Sequence, residues 1–264
     1  MQRYFIQLSY NGTNYHGWQV QPNGITVQEE IEKGLSVLTR ENVAVVGAGR
    51  TDTGVHASFF VAHFDLEKEI ADTVLFTNRL NAFLSNEIVV QQIFPVSPEV
   101  HARFSALSRT YYYFLSNQKQ PFRKEFTATC HYRLDLEKMN EAAGMLLNFN
   151  DFTSFSKLHT DVKNNICIIT KAEWSEGPGG LMVFEITANR FLRNMVRAIT
   201  GTLIDVGREK ISIADFVEII EARDRRKAGT SVSPGGLFLA DIQYPGPINS
   251  KLIRSSLPSV LTQA

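Results

Sequence analysis

Short apolar stretches punctuated by turn chemistry run through the chain from its start. Residues 3–9, RYFIQLS, read as a strand, and the Asn11–Gly12 pair that follows is a turn signal. Thr26 and Glu29 then make a T-x-x-E capping box, which opens a helix whose Val27, Ile31, Leu35 and Leu38 share one stripe. Two short strands are predicted at about 43–47 and 58–64, separated by the glycine-bearing loop GAGRTDTG. A second helix fits 72–84, with Val74, Leu75, Leu80, Phe83 and Leu84 as its apolar positions, and EIVVQQIFPV closes the half as a strand. The order is β-α-β-β-α-β.

The second half repeats this order. SRTYYYFLS reads as a strand, because aromatic side chains suit a pleated, partly covered surface. Asp135 caps a helix running to about residue 147, and the strands NNICIITKAEW and LMVFEITA flank the hairpin-like turn SEGPGG. A helix is predicted at 190–204, Ser212 with Asp215 opens another, and LFLADIQYP supplies the last strand. Apart from the extra helix, the pattern implies an α+β fold of two ferredoxin-like β-α-β-β-α-β halves, joined near residues 96–108. The expected divisions are 1–105, 106–246 and a C-terminal tail, 247–264. Antiparallel or mixed sheets placed side by side would flank a central cleft, and unusual polar residues belong there.

Composition narrows the class. Of 264 residues, 44% are hydrophobic and 20% charged, which excludes a wholly disordered chain and supports a large core without staples. The two cysteines, Cys130 and Cys167, make neither a disulfide framework nor a repeated metal-ligand motif. No apolar run is long enough to span a bilayer, and MQRYFIQLSYNG lacks a signal-peptide apolar stretch, so a cytoplasmic protein without a membrane partner is expected. Lys plus Arg and Asp plus Glu both total 27. That balance excludes a net-basic nucleic-acid binder but permits a locally basic cleft.

The densest chemical signal is GAGRTDTGVHA, where Gly47, Gly49 and Gly54 surround Arg50, Thr51 and Asp52. Glycines allow a tight turn and close backbone approach, and short polar side chains hold Asp52 near a loop tip. Locally, the pattern suits an Asx turn, a catalytic or ligand-facing carboxylate, or half of an ion pair. It is not a triphosphate loop, which needs G-x-x-x-x-G-K-[ST], nor an EF-hand, which needs spaced oxygen ligands and a terminal Glu.

Basic residues gather in the second half. Arg190, Arg193 and Arg197 are spaced by three and four on the predicted helix, away from Leu192, Val196, Ile199 and Leu203. Such a stripe is either a solvated helix edge or a surface for phosphate or carboxylate, which an arginine fork engages with two parallel bonds. EARDRRKAG adds Arg223, Arg225, Arg226 and Lys227. On the strand after Arg109, alternation sends Tyr111 and Tyr113 to one face and Tyr112 to the other, for core packing or for stacking on an exposed base. The histidines His16, His56, His63, His101, His131 and His159 form no H-E-x-x-H or other local metal signature, so no metal site is expected.

Taken together and in order, GRTDTGVHA, RTYYY, FLRNMVRAITG and GLFLADIQYP make the chain resemble the bacterial tRNA pseudouridine synthases of the TruA family, through about residues 3–245. The resemblance implies isomerisation of uridine to pseudouridine at positions 38, 39 and 40 of the tRNA anticodon stem-loop by a symmetric homodimer with a positively charged cleft. It places Asp52 as the essential aspartate, Tyr111 against the target base and Arg197 as the aspartate's partner, and it supports a base-flipping role for Arg50. Arg190, Arg193, Arg223, Arg225, Arg226 and Lys227 become candidates for contacts to more distant tRNA phosphates. Two departures stand out: Arg193 and Asn194 occupy places where many relatives carry histidine, and Thr110 and Tyr112 stand where basic residues are frequent.

The implied reaction breaks the N1–C1′ bond, turns the uracil and joins C5 to C1′. The product keeps the same atoms, so stoichiometry requires neither ATP nor a redox cofactor. A carboxylate serves as nucleophile or base, and the residues do not choose between attack at the sugar and a glycal route. Competing classes are an RNA-binding module without catalysis, a metal-dependent nuclease, which needs clustered acidic ligands, and a small-molecule hydrolase with an aspartate nucleophile.

Overall fold

The computed structural model describes residues 1–157, 164–254 and 261. The chain divides into two units, the first built from Met1–Leu107 with a return segment that begins at Leu239, the second from Ser108–Phe238. Among the described residues there are nine strands and six α-helices, an α+β architecture as the hydrophobic pattern predicts.

In the first unit β1 (Gln2–Tyr10), α1 (Val27–Thr39), β2 (Val45–Gly47), β3 (His56–Leu66), α2 (Thr73–Phe83) and β4 (Ile88–Val96) follow in the expected β-α-β-β-α-β order. Strand β1 lies between β4 and β3, antiparallel to both, with Phe5 opposite His63 on one side and Phe94 on the other. Tyr4 through Leu8 are all at most 2% exposed, so β1 is covered on both faces. Tyr4 stacks on Phe64, while Phe5 meets the edge of Tyr244 from the return segment. That double coverage explains why RYFIQLS reads as a nearly continuous apolar run. Helix α1 starts where predicted: the Thr26 hydroxyl accepts the Glu29 N–H at 3.3 Å, and Val27, Ile31 and Leu35 are buried.

Helix α2 corrects the expected apolar stripe. Thr77 and Leu80 are buried on it and Leu84 just past its end, whereas Val74 is 71% and Leu75 47% exposed. At about 100° per residue, Leu75 points nearly opposite the Thr77–Leu80–Leu84 line, so apolar content alone overstates the covered face. Phe83, at the rim, comes against Gly34 of α1.

The second unit contains β5 (Ser108–Ser116), β6 (Ala128–Thr129), α3 (Leu136–Met145), β7 (Ile169–Gly177), β8 (Leu181–Ala188), α4 (Met195–Gly207) and α5 (Ile213–Glu221). Strand β8 is antiparallel to β5 and to β7, and β6 runs parallel to β5, so the pairing is mixed. Strand β9 (Leu237–Gln243) begins in the second unit and passes into the first, where a short α6 (Gly246–Asn249) follows. Asp135 caps α3 by accepting the Lys138 N–H at 3.1 Å. Ser212 and Asp215 form a reciprocal capping box at α5.

Two predicted boundaries move. Strand β7 starts at Ile169, and Ile166 makes only an isolated bridge to Asp151. Helix α4 starts at Met195, not at 190, because Asn194 takes a left-handed backbone (φ 66°) and the Arg193 carbonyl accepts the Lys157 N–H at 3.1 Å instead of starting a helical ladder. His159 and part of the predicted tail, residues 255–260 and 262–264, lie outside the described residues. Among the described residues, no helix is long and apolar enough to cross a membrane.

A buried histidine in the first unit sets a pH dependence. His63 is 4% exposed, its ring 4.6 Å from that of His101, and its Nδ1 accepts the Ala102 N–H at 3.1 Å. Burial first, then the positive charges of Arg3 and His101, push its pKa from 6.5 down to about 4 against the opposing pull of Asp65. As pH falls below the unfolded value, the unfolded chain takes up a proton that the folded chain refuses. Stability from this site is therefore full above about pH 6.5 and declines by on the order of 2–3 kcal/mol as pH falls to about 4. In His63→Gln, which retains an acceptor for Ala102, denaturant unfolding across that window should lose this slope; an unchanged slope removes His63 as its source.

Candidate active site

The aspartate loop belongs to the first unit and is shaped by residues 10–18, which in sequence read only as a turn at Asn11–Gly12. Between β2 and β3 the chain passes through Arg50, exposed, and Asp52, half-buried, with Thr51 buried between them. The turn closes where the Val55 N–H donates to the Asp52 carbonyl at 3.1 Å, and Gly54 adopts φ 76°, which a side chain rarely tolerates.

Residues 10–18 hold this loop from beneath. The Tyr10 and Thr51 hydroxyls lie 2.8 Å apart, the Trp18 N–H donates to the Thr51 carbonyl at 3.2 Å, and the Gly54 N–H donates to the Tyr15 carbonyl at 3.3 Å. His56, fully buried, accepts the Gly12 N–H on Nδ1 at 3.0 Å, so this histidine serves the loop's support. At Gly17, where φ is 86°, a Cβ would lie 2.4 Å from the Thr51 carbonyl oxygen and 3.1 Å from the Asp52 carbonyl carbon. The signal for this cradle was present as two glycines, Gly12 and Gly17, in NGTNYHGW. Only tertiary contact shows what they approach.

In the second unit, β5 alternates as predicted: Tyr111 and Tyr113 are buried, and Tyr112 on the other face is half-covered. Tyr111 pairs with Ile186 in the ladder and meets Phe191 edge-on, with ring centroids 5.1 Å apart at 85°. Phe191, which the sequence reading did not single out, thus limits the tilt of the Tyr111 ring. Tyr113 donates its hydroxyl to the Ser233 carbonyl at 3.1 Å. Burial pushes its pKa up, and the nearby Arg197 charge offsets part of that rise.

Arg197 is half-buried on the first turn of α4, and its Nε donates to the Val232 carbonyl at 2.8 Å. Arg190 and Arg193 precede the helix, so the predicted helical stripe of three arginines does not exist. Arg190 Nη1 lies 3.4 Å from the Asn164 side-chain oxygen, and Arg193 is exposed.

The later basic run is heterogeneous. Arg223 pairs with Asp151 at 3.1 Å and Arg226 grips Asp224 through Nε and Nη2, which holds the Asp224 pKa down to about 2. Both arginine side chains are largely exposed, at 67% and 83%, so these pairs are weak enough to exchange for a phosphate. Lys227 is exposed. Arg225 is different: half-buried, it bonds to its own downstream loop. Among the described residues, no group of three or more His, Cys, Asp or Glu side chains is arranged to hold a metal ion.

The family model for tRNA pseudouridine synthase matches residues 7–105 and 142–245. The chain is similar to tRNA pseudouridine synthase A of Parabacteroides distasonis, 56% identical over 93% of this chain and 97% of that one. With the protein of the same name from Bacteroides thetaiotaomicron it shares 53% identity over 99% of this chain and 97% of the other. Similarity extends to that of Bacillus subtilis, 41% identical over 90% of this chain and 97% of the relative.

Proposed function

The chain belongs to the tRNA pseudouridine synthase family, RNA-modifying isomerases that act on tRNA uridine, and from that premise we propose that it modifies positions 38, 39 and 40 of the anticodon stem-loop with Asp52 as its essential carboxylate. The observation that carries this assignment is the loop itself. A half-buried carboxylate sits where three carbonyls, a hydroxyl pair and two closely approaching glycines fix the backbone around it.

In this proposal the target uridine leaves its stack and presents C1′ to Asp52, which acts as nucleophile at the sugar or as base toward the ribose. Arg197 takes the role of the aspartate's partner that the family resemblance implies. Tyr111, its tilt set by Phe191, faces the released ring and limits its motion while the uracil turns. Arg50, exposed on the same loop as Asp52, contacts the RNA as the nucleotide is extruded. Arg190, Arg193, Arg223, Arg226 and Lys227 reach more distant phosphates, and a homodimer engages the tRNA.

Wild-type protein is expected to form pseudouridine in a tRNA transcript carrying uridine at 38, 39 and 40, in the presence of chelator. Position-resolved nucleoside analysis reads the result. Pseudouridine confined to other positions would remove the site assignment, and intact RNA without product, from folded protein, would remove the isomerase reading.

A further inference from the structure

The sequence groups Arg225 with its basic neighbours as a phosphate contact, but its bonds point elsewhere. Helix α5 ends at Glu221, the chain turns through Arg223 in a left-handed conformation (φ 50°), and the Arg225 side chain then folds over residues 228–231. Its Nη1 donates to the Ala228 and Gly229 carbonyls at 3.3 and 3.2 Å, and its Nη2 to the Ser231 hydroxyl at 2.9 Å. A phosphate would have to displace two carbonyls and a hydroxyl from a half-buried fork.

The loop so fastened lies against α4. Asn194 Nδ2 donates to the same Ser231 hydroxyl at 2.7 Å, and the Gly229 N–H donates to the Thr202 hydroxyl at 3.0 Å. Approach is so close at Gly201 that a Cβ there would lie 1.9 Å from the Thr230 carbonyl oxygen. Two residues on, Val232 forms a two-way clasp with Arg197: the Val232 N–H donates to the Arg197 carbonyl at 3.2 Å, and Arg197 Nε donates to the Val232 carbonyl at 2.8 Å. One residue on, the Ser233 carbonyl takes the Tyr113 hydroxyl.

We propose that Arg225 is a positioning residue, which sets the plane of the Arg197 guanidinium through the 228–233 loop and does not itself hold RNA phosphate. The proposal rests on the role given to Arg197 above. Because Nε belongs to the planar fork, the acceptor at Val232 constrains the orientation of the guanidinium, and a shift of that acceptor shifts the fork with it. Loss of the Arg225 bonds removes three of the contacts that fix residues 228–231, and the Val232 carbonyl shifts with the loosened loop. The departure at Asn194 follows the same logic: its amide completes the grip on Ser231.

Charge and geometry separate in two variants. Arg225→Lys keeps the charge but cannot span three acceptors, and it should lower kcat about tenfold while KM changes less than about twofold. Arg225→Gln removes the charge and should lower kcat at least as much, yet leave the dependence of log K for tRNA on log salt unaltered; losing a phosphate contact would reduce that slope by about 0.7–0.9. Ser231→Ala, which deletes one acceptor without touching charge, should lower kcat about threefold and carries the test if either arginine variant fails to fold. In each variant the Arg197 Nε–H proton, read by nitrogen–proton NMR of the whole protein, should exchange faster than in wild type.

Full activity in Arg225→Lys together with a reduced salt slope in Arg225→Gln would make Arg225 a phosphate contact and overturn the proposal. Unchanged kcat, or an Arg197 Nε–H unmoved by the variants, would overturn it too. If wild type made no pseudouridine while the NMR signal still responded, the positioning link would stand and the catalytic reading of Arg197 would fall.

Discussion

Asp52→Asn should abolish pseudouridine formation, by on the order of 10⁴-fold or more, while the protein stays folded and binds tRNA. The substitution is nearly isosteric, and several bonds that shape the loop around position 52 come from backbone and from neighbours. The Thr51 carbonyl and hydroxyl, the Asp52 carbonyl and the Gly54 N–H are all engaged without the carboxylate. What asparagine removes is negative charge, and with it both routes to product, since a neutral amide neither attacks C1′ nor takes a ribose proton. Binding is expected to persist because the lost charge repels phosphate if it does anything to it. Single-turnover kinetics with excess enzyme, beside a binding measurement at matched salt, separates the two quantities. Turnover within a factor of ten of wild type would dismiss Asp52 as the essential group. Product lost together with binding would point to a folding or docking role instead.

The parts of the fold that could be read in sequence are those governed by local chemistry. SRTYYYFLS begins and ends where β5 does, because alternation and strand propensity coincide there. Ser212 and Asp215 announce α5 because both halves of a capping box lie within four residues. Helix α4 was misjudged at its start, since apolar spacing continues back through Leu192 while the backbone at Asn194 has already left the helical region. Nothing in the spacing distinguishes a leucine buried from an extended segment from one on a helix.

The same division runs through the candidate site. Asp52 was visible because glycines and short polar residues flank it in sequence, and Tyr111 because it alternates on a strand. Gly12, Gly17, Phe191 and the Val232 carbonyl were not, since each acts on a residue more than ten positions away. Arg225 shows the converse limit. Four basic residues in five positions look alike in composition, yet two are exposed ion-pair partners and one is a half-buried loop fastener. Charge counts describe what a segment carries, and acceptor geometry decides how each charge is used.

Gly17→Ala tests the cradle with a single methyl group, and its expected effect on stability is larger than that of any surface change in the loop. At φ 86° an alanine backbone is strained by about 1 kcal/mol before any contact is made. Its Cβ would then meet the Thr51 carbonyl oxygen at 2.4 Å, the Asp52 carbonyl carbon at 3.1 Å and the Thr53 nitrogen at 3.2 Å, all of them backbone atoms that cannot rotate aside. Relief requires the 51–53 segment to move, which breaks the bond from the Trp18 N–H to Thr51 and displaces Asp52 with it. Unfolding free energy should fall by about 2–4 kcal/mol in denaturant titration. Residual folded protein should turn over at least about tenfold more slowly, since small misplacements of a reacting group are expensive in rate. Gly49 provides the contrast on the same loop: a Cβ there meets nothing within 4 Å, so Gly49→Ala should change stability by less than about 1 kcal/mol. If both alanines behaved alike, the 10–18 segment would not be what holds Asp52 in place.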